Sequence, residues 1–183
     1  DLAYALIRRW MVSAIAAAFT EGGFSAHGIL VLVGAQSLGK TAWIKGLDPI
    51  NCKAVREGAF LDPTSKDCLV TLASHWIIEL GELDGTLRKN DIARLKSHIT
   101  SDLDIVRRPF TRKDSHFTRR TVYAASVNDS RFLTDVTGNR RFWTVPVTFI
   151  NNNHNLNMLQ VWAEVYALWQ SERQTWLSKD EEQ

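Results

Sequence analysis

The chain has 183 residues, 45% of them hydrophobic and 23% charged, with only four prolines, which leaves room for one domain with a sizeable core and excludes a disordered or collagen-like chain. Its net charge of +2 excludes neither an acidic nor a basic partner until the charge is located. Nine Lys/Arg and four Asp fall between Asp104 and Arg141, a local +5 that marks an anion-handling stretch.

In chain order, Leu2 to Phe19 is alanine-rich with Leu6, Trp10 and Ile15 on one side, so it reads as a helix ended by Glu21-Gly22-Gly23. Gly28 to Gly34 is a short apolar run between glycines, as expected of a strand buried on both faces. Ala35 to Thr41 follows as a loop, then a helix to about Leu47 before Asp48-Pro49. A second helix is expected over Ser65–Ala73, a strand over His75–Leu80, and a third helix over Asn90–Ile99. Ile105–Arg120 contains Pro109 and a polar centre, so it reads as a hairpin or extended loop. Thr121–Val127 and Arg141–Val147 read as strands, and an amphipathic helix is expected from the Asn-rich turn at 151–157 to about Leu177. The alternation implies an α/β fold with a mostly parallel sheet sandwiched by helices. A single domain is expected, with a helical segment at 1–27, a core at 28–150 and the last helix at 151–183. Starting at Asp1, the chain reads as a piece excised from a longer protein.

Cys52 and Cys68 form no CxxC pair and the five histidines are scattered, so neither a zinc site nor a disulfide framework is expected, in keeping with a reducing cytosol. The apolar run Trp10–Phe19 is shorter than a bilayer requires and carries no signal-peptide pattern, so no membrane partner is expected.

Gly34-Ala35-Gln36-Ser37-Leu38-Gly39-Lys40-Thr41 is a complete Walker A pattern, with the strand before it and the helix after it that the motif requires. Gly34 and Gly39 let the backbone wrap closely enough for successive N–H groups to converge on phosphate oxygens. Lys40 is placed to neutralise β- and γ-phosphate charge, and the Thr41 hydroxyl to ligate Mg²⁺. The cofactors expected are therefore ATP and Mg²⁺. Hydrolysis also needs carboxylates, and Glu79 and Glu82 stand at the C-terminal end of an apolar strand, where ligands sit in open parallel sheets. The sequence leaves open which of them holds Mg²⁺ and which polarises water. Asp84, before Gly85, reads as a turn residue.

Taken together, Gly34–Thr41, Trp76–Leu83, Leu95-Lys96, Asp104–Phe110, Arg120–Val122, Asn128 and Thr137-Gly138-Asn139-Arg140-Arg141-Phe142-Trp143 resemble the virulence-associated protein E family of phage and prophage proteins. More distantly they are similar to superfamily 3 helicases and poxvirus-type primase-helicases. The resemblance covers about residues 28–147. It implies an AAA+-like P-loop NTPase that forms a ring, a hexamer by analogy, and acts on DNA in the bacterial cytosol. It further implies that Asn128 is the residue that orients the lytic water or feels the γ-phosphate. Arg140 and Arg141 become the arginines that reach a phosphate, either in the neighbouring subunit or in cis. The family's contiguous acidic pair is replaced here by glutamates spaced by three, and no primase domain is present.

Arg107, Arg108, Arg112, Lys113, Arg119 and Arg120 crowd a stretch that also carries Phe110, His116 and Phe117. Cations meet phosphates and aromatics stack on exposed bases, so the mixture suits single-stranded DNA, with Arg112, Lys113 and His116 as the expected contacts. Trp162, Trp169 and Trp176 recur every seven residues, with Leu159, Val165, Tyr166 and Leu177 expected on the same buried face. The reading that covers most of this is a DNA-dependent ATPase. A P-loop kinase of a small molecule, or a nucleotide-dependent assembly module with little turnover, are the alternatives.

Overall fold

Strand β1 (Ile29–Val33) is Ile-Leu-Val-Leu-Val, and its first four residues are almost completely buried. Such a strand needs cover on both faces and partners on both edges. In the computed structural model, which describes residues 1–59, 74–81, 97–106, 115–128 and 139–181, it has both. Strands β2 (Val55–Ala59), β3 (Ile77–Leu80), β6 (Val122–Val127) and β7 (Phe142–Pro146) join it in the order β2-β3-β6-β1-β7, every pair parallel. The register sets Val33 beside Val127 and Pro146, so three chain ends leave the sheet together at one edge.

Helix α1 (Leu2–Phe19) is capped by the Asp1 side chain, which accepts from the Ala3 N–H at 3.0 Å. It spans the residues expected of it and buries Leu6, Trp10, Ala14, Ile15 and Ala17. Tryptophans fasten it to the sheet: the Trp10 indole donates to the Tyr123 carbonyl at 2.8 Å, and Trp76 reaches the Ala14 carbonyl at 2.7 Å. By length and composition this 18-residue helix matches a membrane span, longer than the Trp10–Phe19 run suggested, yet half of it is buried inside the fold. Helix α2 is short, Lys40–Lys45.

A separate antiparallel pair, β4 (Leu103–Val106) and β5 (Ser115–Thr118), forms the hairpin anticipated from Pro109 and the polar centre. Its intervening residues lie outside the described ones, as do the helix expected over Ser65–Ala73 and most of that expected over Asn90–Ile99. Residues 97–99 are helical and Ile99 is fully buried. Arg119, counted above among the cations that crowd this stretch, is 1% exposed. It donates to the His98 carbonyl and lies against that ring, which hydrogen-bonds the Tyr123 hydroxyl at 2.9 Å.

The last helix, α3 (Met158–Glu172), is shorter than expected. Arg173 adopts φ 56°, its N–H caps the Trp169 carbonyl, and its guanidinium stacks 4.0 Å above the Trp169 ring. The left-handed cap turns the chain, so Trp176 falls outside the helix and is 51% exposed. Trp162, Val165 and Trp169 are buried as expected, but Leu159 and Tyr166 are not.

Charge locks α3 to α1. Arg9, 7% exposed, bonds Glu172 at 3.1 Å and Glu181 at 2.9 Å, and Arg8 also pairs with Glu172. The hydrogen bond from Arg8, joined by Arg9, holds the Glu172 carboxyl below its ordinary value of 4.5. Its folded pKa is thus depressed, so its stabilisation is complete above the unfolded value and is lost as pH falls through the folded one. Glu172 is 38% exposed, so solvent screening limits the pair to about 1 kcal/mol or less. Urea denaturation should find Glu172→Gln less stable than the parent at neutral pH, with the gap closing in strong acid. A gap that persists in acid would mean that packing, not charge, joins the helices.

Candidate functional site

Where β1 ends, the Gly34 N–H donates to the Val127 carbonyl at 3.1 Å and the chain turns into the loop that leads to α2. Ser37 has φ 67° and Gly39 φ 81°. The left-handed backbone at Gly39 favours glycine on its own account. A second constraint falls on the same residue: a Cβ there would collide with the amide of Asn152, whose Nδ2 donates to the Gly39 carbonyl at 3.1 Å.

Lys40 is 6% exposed, and its ammonium spans the loop. Its three donors meet the Gly34 carbonyl at 2.7 Å, the Ala35 carbonyl at 2.8 Å and Asn128 Oδ1 at 3.3 Å. Asn128 is carried there by β6, the parallel neighbour of β1. Thr41, one residue further along α2, donates to Glu79 Oε1 at 3.1 Å and lies 3.1 Å from the Ser126 hydroxyl.

Glu79 sits in the middle of β3 and is 2% exposed. A buried carboxylate is tolerated only when its oxygens are satisfied, and here they are. Oε1 accepts from Ser126 at 2.6 Å and from Thr41, and Oε2 accepts from the Gly58 N–H of β2 at 2.8 Å. Lys40, Thr41, Glu79 and Asn128, drawn from three sheet-edge segments, are thus brought together. The cavity of about 300 Å³ beside them is lined by Gln36, Ser37, Leu38, Gly39, Ala42 and Ser126 as well as by Lys40, Thr41 and Asn128. Chemically the arrangement offers a cation and a tight backbone loop to an anion. It also offers two hydroxyls and a carboxylate oxygen to a hard divalent cation, which fits Mg²⁺ by donor type.

The other expected residues are placed apart. Glu82, Arg112 and Lys113 lie outside the described residues. His116 is exposed on β5, opposite Ile105. Arg140 and Arg141 form a 3-10 turn just before β7, and the register Ile29 to Phe142 puts them at the amino edge of the sheet. The loop 34–41 is at the carboxyl edge, about 15 Å away at strand rise, so these arginines do not meet Lys40 of their own chain. They line a second cavity, of about 240 Å³, with His27, Trp143 and Trp176. Partial burial pushes the His27 imidazole below its ordinary pKa.

Ser126, Asn152 and the Gly58 N–H escaped the sequence reading. Ser126 was visible as the lone serine in the apolar run Val122–Val127, on the same strand face as Asn128. Asn152, in a turn rich in asparagine, carried no signal that could separate it from its neighbours.

A model of the virulence-associated protein E-like domain matches residues 1–183. Among solved structures, the apo structure of NrS-1 C terminal region (305–718) is similar, with 17% identity and a TM-score of 0.59 over 96% of this chain and 41% of that one. The A form apo structure of the same region gives 16% identity and a TM-score of 0.57 over 97% and 42%. At these identities the likeness is one of fold, and the chain spans about two fifths of the structures it resembles. No curated protein matches it in sequence.

Gly39→Ala would place a side chain in left-handed backbone and against Asn152. The expected cost is about 1–3 kcal/mol of stability, read by urea unfolding. An unchanged midpoint would mean that the loop relaxes freely.

Proposed function

Because the chain belongs to the virulence-associated protein E-like domain family, we propose that it is an ATP-hydrolysing motor or initiator module of phage-type DNA replication, a P-loop ATPase of AAA+-like type. The observation that carries the reading is the convergence of Lys40, Thr41, Glu79 and Asn128 on one loop at the carboxyl edge of a parallel sheet. That edge, where the connection from β1 runs toward one end of the sheet and that from β6 toward the other, is where α/β folds bind ligands.

In this mechanism Lys40 exchanges its loop carbonyls for β- and γ-phosphate oxygens, and Asn128, its present partner, orients the γ-phosphate or the attacking water. Thr41 and Glu79 would hold Mg²⁺, which when bound neutralises charge on the phosphates. Both Glu79 oxygens already accept donors, which suits a fixed ligand better than a base that must take up a proton. Activation of water then falls to Glu82. The position of Arg140 and Arg141 at the far edge of the sheet favours action in trans, on a nucleotide held by the next subunit of a ring. The β4–β5 hairpin, with His116 exposed and Arg112 and Lys113 beyond it, would contact single-stranded DNA. A small-molecule kinase would use the same loop but leaves this hairpin and the paired arginines without a task.

Lys40→Ala should lower ATP turnover at least about 10²-fold with the fold intact. Glu79→Gln should weaken Mg²⁺ dependence in the same assay, run with and without single-stranded DNA. Parent-like turnover in Lys40→Ala would remove the ATPase reading altogether.

The trans arrangement is tested by mixing. Chains carrying Lys40→Ala and chains carrying Arg140→Ala with Arg141→Ala should each be inactive, yet their mixture should regain turnover at interfaces that pair an intact loop with intact arginines. Recovery should coincide with a multimeric mass in the presence of a non-hydrolysable analogue. A mixture as inactive as its parts would assign the arginines elsewhere.

A further inference from the structure

Three oxygens meet beside the glycine loop, one each from α2, β6 and β3. Thr41 Oγ1 and Ser126 Oγ donate to Glu79 Oε1 at 3.1 and 2.6 Å, and the two hydroxyl oxygens lie 3.1 Å from each other. Parallel register sets Glu79 beside Ala124, and Ser126 follows two residues later on the same face of the sheet. The other carboxylate oxygen, Oε2, is taken by the Gly58 N–H at 2.8 Å.

Burial differs within this group. Glu79 is 2% exposed and does not line the cavity of about 300 Å³, whereas Thr41 and Ser126 are half-buried and do line it. The two hydroxyls therefore stand between the carboxylate and the cavity. We propose that Ser126 is a ligand of the divalent cation beside Thr41, with Glu79 holding both hydroxyls by their protons so that their lone pairs face the cavity. The proposal rests on the reading of Thr41 and Glu79 as the Mg²⁺ site and adds a residue of β6 to it.

Counting protons supports this assignment. A carboxylate is an acceptor only and each hydroxyl carries one hydrogen, so three oxygens in mutual contact share two protons. However the hydroxyls turn, one edge of the triangle brings lone pairs together with no hydrogen between them, and a cation relieves that crowding. Spacing agrees. An octahedral Mg²⁺ with ligands at about 2.0–2.1 Å sets adjacent oxygens about 2.9 Å apart, and the three separations here run from 2.6 to 3.1 Å. Burial of Glu79 does not by itself call for Ser126, because Oε1 already has a donor in Thr41. Mg²⁺ takes few protein ligands and completes its shell with water and phosphate oxygens, so two hydroxyls backed by one carboxylate suffice beside a triphosphate.

The test measures Mn²⁺ binding by the full chain with a non-hydrolysable ATP analogue, read by electron paramagnetic resonance, and Cd²⁺ binding by competition for the bound Mn²⁺. Ser126→Ala should bind Mn²⁺ at least about tenfold more weakly, while its affinity for the analogue in EDTA stays that of the parent. Ser126→Thr should restore the cation. Ser126→Cys exchanges a hard oxygen for a soft sulfur and should raise the preference for Cd²⁺ over Mn²⁺ at least about tenfold. A hydroxyl that only braces Glu79 would not move that preference, so an unchanged Cd²⁺ to Mn²⁺ ratio in Ser126→Cys would overturn the proposal. Parent-like Mn²⁺ affinity in Ser126→Ala would do the same and leave Thr41 and Glu79 standing as the metal site. No Mn²⁺ binding by the parent, or parent-like binding after Thr41→Ala, would overturn that metal site and the part of Ser126 in it together.

Discussion

The site depends on a buried carboxylate. Glu79, in the middle of β3, would be untenable at 2% exposure without donors. It recruits one from each of three other elements: the Thr41 hydroxyl from α2, the Ser126 hydroxyl from β6 and the Gly58 N–H from β2. The desolvation cost of this one group therefore fixes how the glycine loop's helix sits over the sheet, and how far β2 and β6 may slide past β3. A group this thoroughly satisfied is rigid, and rigidity is what a pre-organised binding site requires.

The sheet divides the molecule's chemistry between its two edges. Carboxyl ends of β1, β3 and β6 gather a cation, a carboxylate, hydroxyls and an amide. The amino end of β7 carries Arg140 and Arg141 beside His27 and Trp143. A parallel sheet keeps these sets apart, since every strand runs the same way and no turn folds one edge onto the other. Any joint action of the two edges on one ligand must pass between molecules.

Most of the central architecture was legible in the sequence because its signals are local. The apolar run of β1, the glycine spacing after it and the asparagine that follows β6 depend on nearest neighbours in the chain. What escaped depends on distant ones. Strand β2, Val-Arg-Glu-Gly-Ala, has neither an apolar run nor clean alternation, because it is an edge strand whose middle residues are exposed and whose Gly58 has φ 62°. Its place comes from pairing with β3 and from Glu79. The heptad of tryptophans implied a helix through Trp176, yet a left-handed Arg173 stacked on Trp169 ends it early, and no propensity scale marks an arginine for that position. Arg119 read as one more cation of the basic stretch because burial of a guanidinium is set by tertiary partners, here His98, whose ring the Tyr123 hydroxyl holds.

Strand β1 is second to form in the chain yet occupies an interior place in the sheet, and its two neighbours begin at Val122 and Phe142. The segment bearing the glycine loop thus leaves the ribosome about ninety residues before it can be paired on either side. Until then a fully apolar strand has both edges open, and closing it requires two long loops rather than local hairpins. Assembly of the loop is in this way deferred until β6 and β7 have been made. A chain cut short before β7 would carry the whole glycine motif and still present an unpaired, aggregation-prone edge in place of a site.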